Sequence, residues 1–315
     1  MENDLSLNET ARNKMMNKVN RDGKVLEIGA LHNPLFKKND YDVYYADILS
    51  TNELKERFSY FRPELIERIV SVDYVLKDSY YDTFKGTDMK FDYIVSSHVL
   101  EHMPNPIDYL FDITTILNEN GKVCLLLPDK EFTFDHYREN SSIADWFDVY
   151  KRGEENNIPR LFLDAELCKV NENDYIKYWN KTFSKYPNHD ISTVLEKYDD
   201  FINDFDNSNY DGHYWVFTDR SFLGILANLI RLNILPYKVV SFFPTAVNDN
   251  TFGVILELDY NIVDNLNFRQ EQINELYKIS EDIERKRFEM SVESIIQENT
   301  ELKATIKTII NIIKK

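Results

Sequence analysis

Lys24-Val25-Leu26-Glu27-Ile28-Gly29-Ala30-Leu31-His32-Asn33-Pro34-Leu35 opens with an apolar run that ends in Glu-Ile-Gly. The next apolar run, Val43-Tyr44-Tyr45-Ala46-Asp47, closes on a carboxylate. A strand, a glycine turn and a second strand ending in an acid describe the first half of a nucleotide-binding α/β sheet. Gly29 has no Cβ, so a ligand can approach its backbone closely. Asp47, at the carboxyl end of the second strand, is placed to accept both hydroxyls of a ribose. Together the two predict a site for an adenosine-like ligand.

What is missing narrows the ligand. A dinucleotide site calls for Gly-x-Gly-x-x-Gly, which rests a pyrophosphate on a helix N-terminus. Here Ala30 and His32 follow Gly29, and Glu27 would repel a phosphate. Glu27 suits a cationic ligand, either by meeting its ammonium or by organising the loop that holds it. S-adenosylmethionine has the ribose, an ammonium, a sulfonium and no phosphate. The stretch resembles motif I of the class I S-adenosylmethionine-dependent methyltransferases, reduced from three glycines to one. Phe91-Asp92-Tyr93-Ile94-Val95-Ser96-Ser97-His98-Val99-Leu100-Glu101-His102 is similar to the F-D-x-V-x-x-x-x-V-L-E-H segment that quinone-biosynthesis members carry after their fourth strand. The turn Asn118-Glu119-Asn120-Gly121 and the strand Lys122–Pro128 stand where the family has L-K-P-G-G. Asn-Gly supplies the positive φ such a return demands.

A narrower resemblance concerns the substrate. Pro128-Asp129-Lys130-Glu131-Phe132-Thr133-Phe134-Asp135-His136-Tyr137-Arg138 resembles a P-D-K-x-x-T-F-D-x-x-R segment of one bacterial branch of the superfamily. That branch is linked with glycosyltransferases and surface-polysaccharide assembly. Its downstream H-x-W segment is similar to His213-Tyr214-Trp215, and its E-I-G-x-x-x-N-P to residues 27–34. The resemblance spans residues 24 to about 258, weakly within 139–210. It implies O-methylation of a sugar or related polar group of a surface glycan or its precursor. The alternatives are another small-metabolite acceptor, or a non-catalytic scaffold of the same fold.

The expected architecture is a Rossmann-like, doubly wound α/β sheet of seven strands with a late antiparallel strand. Strands fall near 24–29, 42–47, 69–73, 91–96 and 122–127, with two more at Tyr237–Phe243 and Thr251–Leu258. A helix from about Asn8 to Asn20 precedes them, and another runs from Asp219 to Asn233. Residues 129–212, rich in aromatics and charges, read as a mostly helical insertion. The methyltransferase domain is placed at 1–262 and a helical segment at 263–315. Hydrophobic residues make up 43% of the chain, with 20 Phe and 20 Tyr, which predicts a sizeable aromatic core. A net charge of −17 argues against nucleic-acid substrates and anionic membranes, both of which call for a basic surface. No apolar run approaches the roughly 18 residues of a membrane span. The polar Met1-Glu2-Asn3-Asp4 does not read as a signal peptide. Two cysteines, Cys124 and Cys168, make no disulfide framework and fit reduced thiols in a cytoplasmic protein.

Methyl transfer from a sulfonium needs positioning, plus a base for a hydroxyl acceptor. His213 and His136, which flank the insertion, are the candidates, because imidazole titrates near neutrality. Asp129 and Asp135 could orient such a histidine or share a metal with it. The alternative is that Asp135, His136 and Arg138 form a buried network anchoring the insertion. No ligand spacing is diagnostic of a metal. On the donor side, the resemblance places Ser97 and His98 in the loop after the fourth strand, beside the donor. His32 and Asn33 should line its methionine end, with Gly29 and Ala30 also among the donor-binding residues. Asp73, at the end of the third strand, is a candidate for the adenine, with Asp78 as competitor. Glu101 and His102 read as stabilising their turn, and His189 as a solvated loop residue.

The C-terminus follows a different period. Val292, Asn299, Ile306 and Ile313 alternate with Ile295, Leu302 and Ile309 at spacings of 3 and 4, with Phe288 one step earlier. This is a heptad seam with one Asn at an a position, the pattern of a parallel coiled-coil dimer. Glu298 and Lys303 take g and e positions, where they could pair across it. The seam predicts a homodimer or oligomer through residues 288–313. About four heptads are short for an independent coiled coil, so the catalytic domains should contribute. An amphipathic helix docked on its own domain is the alternative, and docking to a partner protein another.

Overall fold

The computed structural model describes residues 4–153, 158–187, 193–203 and 212–313. Met1 to Asn3 and His189 lie outside them. Seven strands among these residues, β1 (Lys24–Ile28), β2 (Asp42–Asp47), β3 (Tyr74–Val75), β4 (Phe91–Ser97), β5 (Leu117–Pro128), β6 (Tyr237–Phe243) and β7 (Thr251–Leu258), form one sheet in the order β3-β2-β1-β4-β5-β7-β6. From β3 to β5 the neighbours are parallel. The expected late antiparallel strand is β7, which opposes both β5 and β6.

Period-2 alternation sorts the strand side chains into two cores. Leu26, Ile28, Ile94, Val123, Leu125 and Leu127 belong to the larger one. Val25, Val95, Cys124 and Leu126 point to the smaller, which also buries Ala11 and Met15 of α1 (Ala11–Lys18). Thr10 caps α1 by accepting from the Asn13 amide, so the helix starts later than the expected Asn8. The helix α2 (Thr51–Phe61) buries Leu54, while α3 (Tyr80–Phe84) and α4 (Pro106–Thr114) run along the larger core. The insertion contributes α5 (Ile143–Arg152), α6 (Ile158–Cys168), α7 (Tyr175–Trp179) and α8 (Val194–Asn203), helical as expected. Trp146 of α5 is fully buried against Trp215, Phe217 and Phe222, which joins the insertion to α9 (Asp219–Arg231).

Two expectations are corrected. The third strand is not at 69–73 but at Tyr74–Val75, paired to Ala46 and Asp47. Ile69 instead closes a 3-10 turn by donating to Ile66 O, and Val70 donates back to Leu31 O. The turn at Asn118–Gly121 is part of β5, which begins at Leu117 and shifts register opposite Phe91 and Tyr93. Asn120 does take a positive φ of 59°, absorbed as an irregularity within the strand.

After β7 the chain forms α10 (Asn261–Asp264) and the long α11 (Leu266–Ile313). Ile273, Leu276, Ile279 and Ile283 of α11 are buried in the larger core, and the heptad seam of residues 288–313 starts only beyond them. Lys286 donates to Leu5 O and Arg287 pairs with Asp219. From Phe288 onward Val292, Ile295, Ile296 and Ile309 are exposed. No helix among the described residues is long and apolar enough to cross a membrane.

Candidate functional site

A cavity of about 520 Å³ opens at the carboxyl ends of β1, β2 and β4, where the sheet order reverses. Ligands of open α/β sheets bind at this switch point. Gly29, Asp47 and His98, one from the end of each strand, line it. Phe58 and Phe61 of α2 and Met103 supply apolar wall, while Asp78 and Ser79 come from the segment after β3. The volume suits a nucleoside-sized ligand.

Gly29 holds φ +66°, and a Cβ there would lie 2.9 Å from Val99 Cγ2. Only glycine fits that turn without strain. Glu27 is buried one residue pair earlier and accepts from the amides of Leu35 (2.5 Å) and Phe36 (3.0 Å). It therefore organises the loop after β1. Burial raises its pKa to about 7, against the pull of those two amides and of Arg12. Asp47 Oδ1 accepts from the Leu49 amide at 3.1 Å, which fixes the carboxylate at the cavity edge. Ala30 is buried in the smaller core, and Asn33 offers its carbonyl to Arg12. His32 packs against Phe58, with a buried Nδ1 that has no hydrogen bond. None of these three lines the cavity, nor does Ser97 at the end of β4.

Asp73 sits before β3, not at its end, because the strand begins one residue later than the acid. Its carboxylate accepts from the Tyr45 amide (2.8 Å) and pairs with Lys38 (2.5 Å), away from the cavity. Asp78 is the acid that reaches it.

Beyond β4 the chain turns sharply, with His98 at φ +56°, into a 3-10 turn over Leu100–His102. His98 and His102 face the cavity, and Glu101 lies behind them, fully buried. The Glu101 carbonyl accepts from the Tyr214 and Trp215 amides, which draws His213 in from the far side of the insertion. Glu101 Oε1 then lies 3.6 Å from His98 Nδ1, 4.0 Å from His102 Nε2 and 3.9 Å from His213 Nε2. Neither of its oxygens has a hydrogen bond. Burial lifts the Glu101 pKa to about 7, and burial with the two neighbouring imidazoles pushes His98 down to about 4.

Behind His213 stands Asp135, whose Oδ2 meets His213 Nδ1 at 2.5 Å. Arg138 binds Asp135, Asp164 and the carbonyls of His213 and Tyr214, all with its guanidinium buried. Burial opposes charge on His213, but the Asp135 bond and Glu101 raise its pKa above the ordinary imidazole value. Asp135 and Arg138 thus form the network expected of them, without His136. His136 Nδ1 contacts Glu131 O, and its ring packs on Tyr137, Tyr178 and Phe183, outside the cavity. Asp129 is buried under α11, accepting from Thr245 (2.7 Å) and facing Arg287 at 3.6 Å. Burial and the adjacent Asp219 hold its pKa above the usual carboxylate range. Of the three residues read as catalytic, only His213 joins the cavity wall's cluster. The sequence reads Glu101 only as stabilising its turn, and although the His-x-x-Glu-His run is visible there, only the fold shows that its acid is buried and brought against His213.

The methyltransferase-domain family matches residues 4–228, and the chain belongs to it. No curated protein matches the sequence. Among solved structures, the carbon methyltransferase of CurJ is similar at 14% identity and a TM-score of 0.37, over 78% of this chain and 51% of that one. A SAM-dependent methyltransferase from Aquifex aeolicus is similar at 11% identity and 0.36, over 79% and 90%. The trans-methyltransferase CalH, complexed with SAH, is similar at 15% and 0.36, over 78% and 54%. The chain thus spans about half the length of the first of them. Fold and family together define a methyltransferase domain built on this seven-stranded sheet.

Proposed function

We propose that this chain is an O-methyltransferase, which moves the methyl group of S-adenosylmethionine to a hydroxyl of a sugar or related polar group of a bacterial surface glycan or its precursor. The observation that carries the reading is the shared cavity, with Gly29 and Asp47 on its donor side and the Glu101 cluster behind its His98–His102 wall. Asp47 takes the ribose hydroxyls, Gly29 the close approach of the methionyl chain, and Asp78 the adenine edge. Glu27 acts at one remove by holding the loop.

The acceptor oxygen attacks the methyl carbon in line. The C–O bond forms as the C–S bond breaks, its electron pair stays on sulfur, and the hydroxyl proton leaves. Placing donor and acceptor together supplies several kcal/mol. Relieving the acceptor of its proton adds about 10²–10⁴-fold, and the cluster of Glu101, His102 and His213 is the group that faces it. His136 and Asp129 have no part in this step. The two free thiols, Cys124 and Cys168, support a cytoplasmic setting. The exposed apolar seam of α11 supports pairing with a second copy.

The test is calorimetric titration of S-adenosylmethionine and S-adenosylhomocysteine into wild-type protein and Asp47→Ala. Loss of the ribose contact should cost about 1–3 kcal/mol, or roughly 5- to 150-fold in affinity. No binding to the folded wild type, or equal binding to both proteins, refutes the donor site. With donor binding established, nucleotide sugars and glycans are the acceptors to screen.

A further inference from the structure

A fully buried carboxylate with no hydrogen bond to either oxygen is costly, and Glu101 is one. It faces three imidazoles at 3.6 to 4.0 Å, too long for hydrogen bonds. What the rings do on their other sides explains the spacing. His213 Nδ1 meets Asp135 Oδ2 at 2.5 Å, and His102 Nδ1 meets the Gly212 carbonyl at 3.1 Å. Both partners are acceptors, so each Nδ1 carries a proton, and whenever the rings are neutral each turns its Nε2 lone pair toward Glu101. Two lone pairs and a carboxylate pointing at one spot repel unless a cation lies between them. The donor atoms of Glu101, His102 and His213 all fall within 4.8 Å of one another. Ligands on one tetrahedral ion sit about 3.4 Å apart at bonds near 2.1 Å, so small side-chain shifts close the site. A histidine ligand whose second nitrogen donates to a carboxylate or a backbone carbonyl is the usual supporting arrangement of a metal centre.

We propose that Glu101, His102 and His213 bind a divalent first-row transition cation, with His98 Nδ1 as an additional donor. Two imidazoles and one carboxylate select zinc, iron, manganese or cobalt over magnesium and calcium, which prefer all-oxygen sites. The His98 and His102 side opens onto the cavity, so the ion's remaining positions face it. This deepens the proposed methyl transfer and rests on it in one respect: the acceptor hydroxyl would bind at an open position, where the cation lowers its pKa. Its proton then passes to water, and His213 serves as a ligand instead of as the base.

The experiment uses the full chain, stripped with a chelator and titrated with Co²⁺ while the visible d–d absorption is followed. One equivalent should bind, displaced by Zn²⁺. His102→Ala and Glu101→Gln should each weaken binding at least 10-fold, and Asp135→Asn about 10- to 100-fold. Thermal melts of every variant show whether it is folded, and His102, the most exposed of the three principal ligands, is the variant that loses least packing. Absence of a d–d band in the wild type overturns the proposal, as does equal Co²⁺ affinity in folded His102→Ala and Glu101→Gln. A parallel titration of the metal-free protein with S-adenosylmethionine separates the two readings. Donor binding without Co²⁺ binding sinks the metal site alone, and Co²⁺ binding without donor binding sinks the methyl-transfer reading while the metal site stands.

Discussion

Glu27 and Glu101 are two buried carboxylates with opposite surroundings. Glu27 accepts from two backbone amides and has Arg12 nearby, yet burial still holds its pKa near 7. In the unfolded chain it returns to 4.5. Between those values the folded protein keeps a proton that the unfolded chain has lost. Its contribution is therefore full below pH 4.5 and is lost as pH rises through 7. Relative to Glu27→Gln, which does not titrate, the wild type should lose roughly 2–4 kcal/mol across this window. Urea unfolding of both proteins from pH 4.5 to 7.5 checks it, and parallel stability curves would remove the assignment. At the neighbouring turn, Gly29→Ala puts a Cβ at φ +66° and 2.9 Å from Val99. A strain of about 1–3 kcal/mol should follow, with donor affinity falling alongside Tm in calorimetry.

At the scale of elements, the insertion is held by charge at a few buried points. Arg138 joins Asp135, Asp164 and two carbonyls of the segment that carries His213. Arg138→Met keeps the bulk but strands Asp135 without its cation, and leaving one buried charge unpaired costs about 3–5 kcal/mol. Urea unfolding should show that loss, and a change under 1 kcal/mol would mean the insertion is anchored by its Trp146 and Trp215 packing alone. The same elements explain what could be read beforehand. β1, β2, β4, β6 and β7 announce themselves because an uninterrupted apolar run between turn residues has few other uses. β3 is two residues long and its position is set by pairing with Ala46 and Asp47, a tertiary fact that no local pattern near Ile69 carries. Gly29 and Asp47 were legible because each stands where its strand ends, on the cavity wall. The Glu101 cluster was not, since His213 meets Asp135 across 78 residues of sequence. His136 and Asp129 were plausible by residue type, and only the path of the insertion shows that they face other neighbours.

For the whole molecule, α11 does two different jobs along one helix. Its first half completes the core through Ile273, Leu276, Ile279 and Ile283, and Arg287 ties it to Asp219. Its second half carries the heptad seam, and there Val292 and Ile295 are 37% and 57% exposed. In the proposed pairing with a second copy, these exposed apolar residues would be covered by another helix. Asn299, at an a position, favours two parallel strands in one register at a cost in stability. Because these side chains contribute nothing to the core, charge can be placed there without harm to the fold. The double substitution Val292→Glu and Ile295→Glu should leave Tm unchanged at low concentration yet convert a dimer to a monomer in sedimentation equilibrium. Asn299→Ile should do the reverse, tightening association while relaxing its order toward higher oligomers. A wild-type chain that sediments as a monomer at tens of micromolar would end the dimer reading and turn the seam into a surface for a different partner.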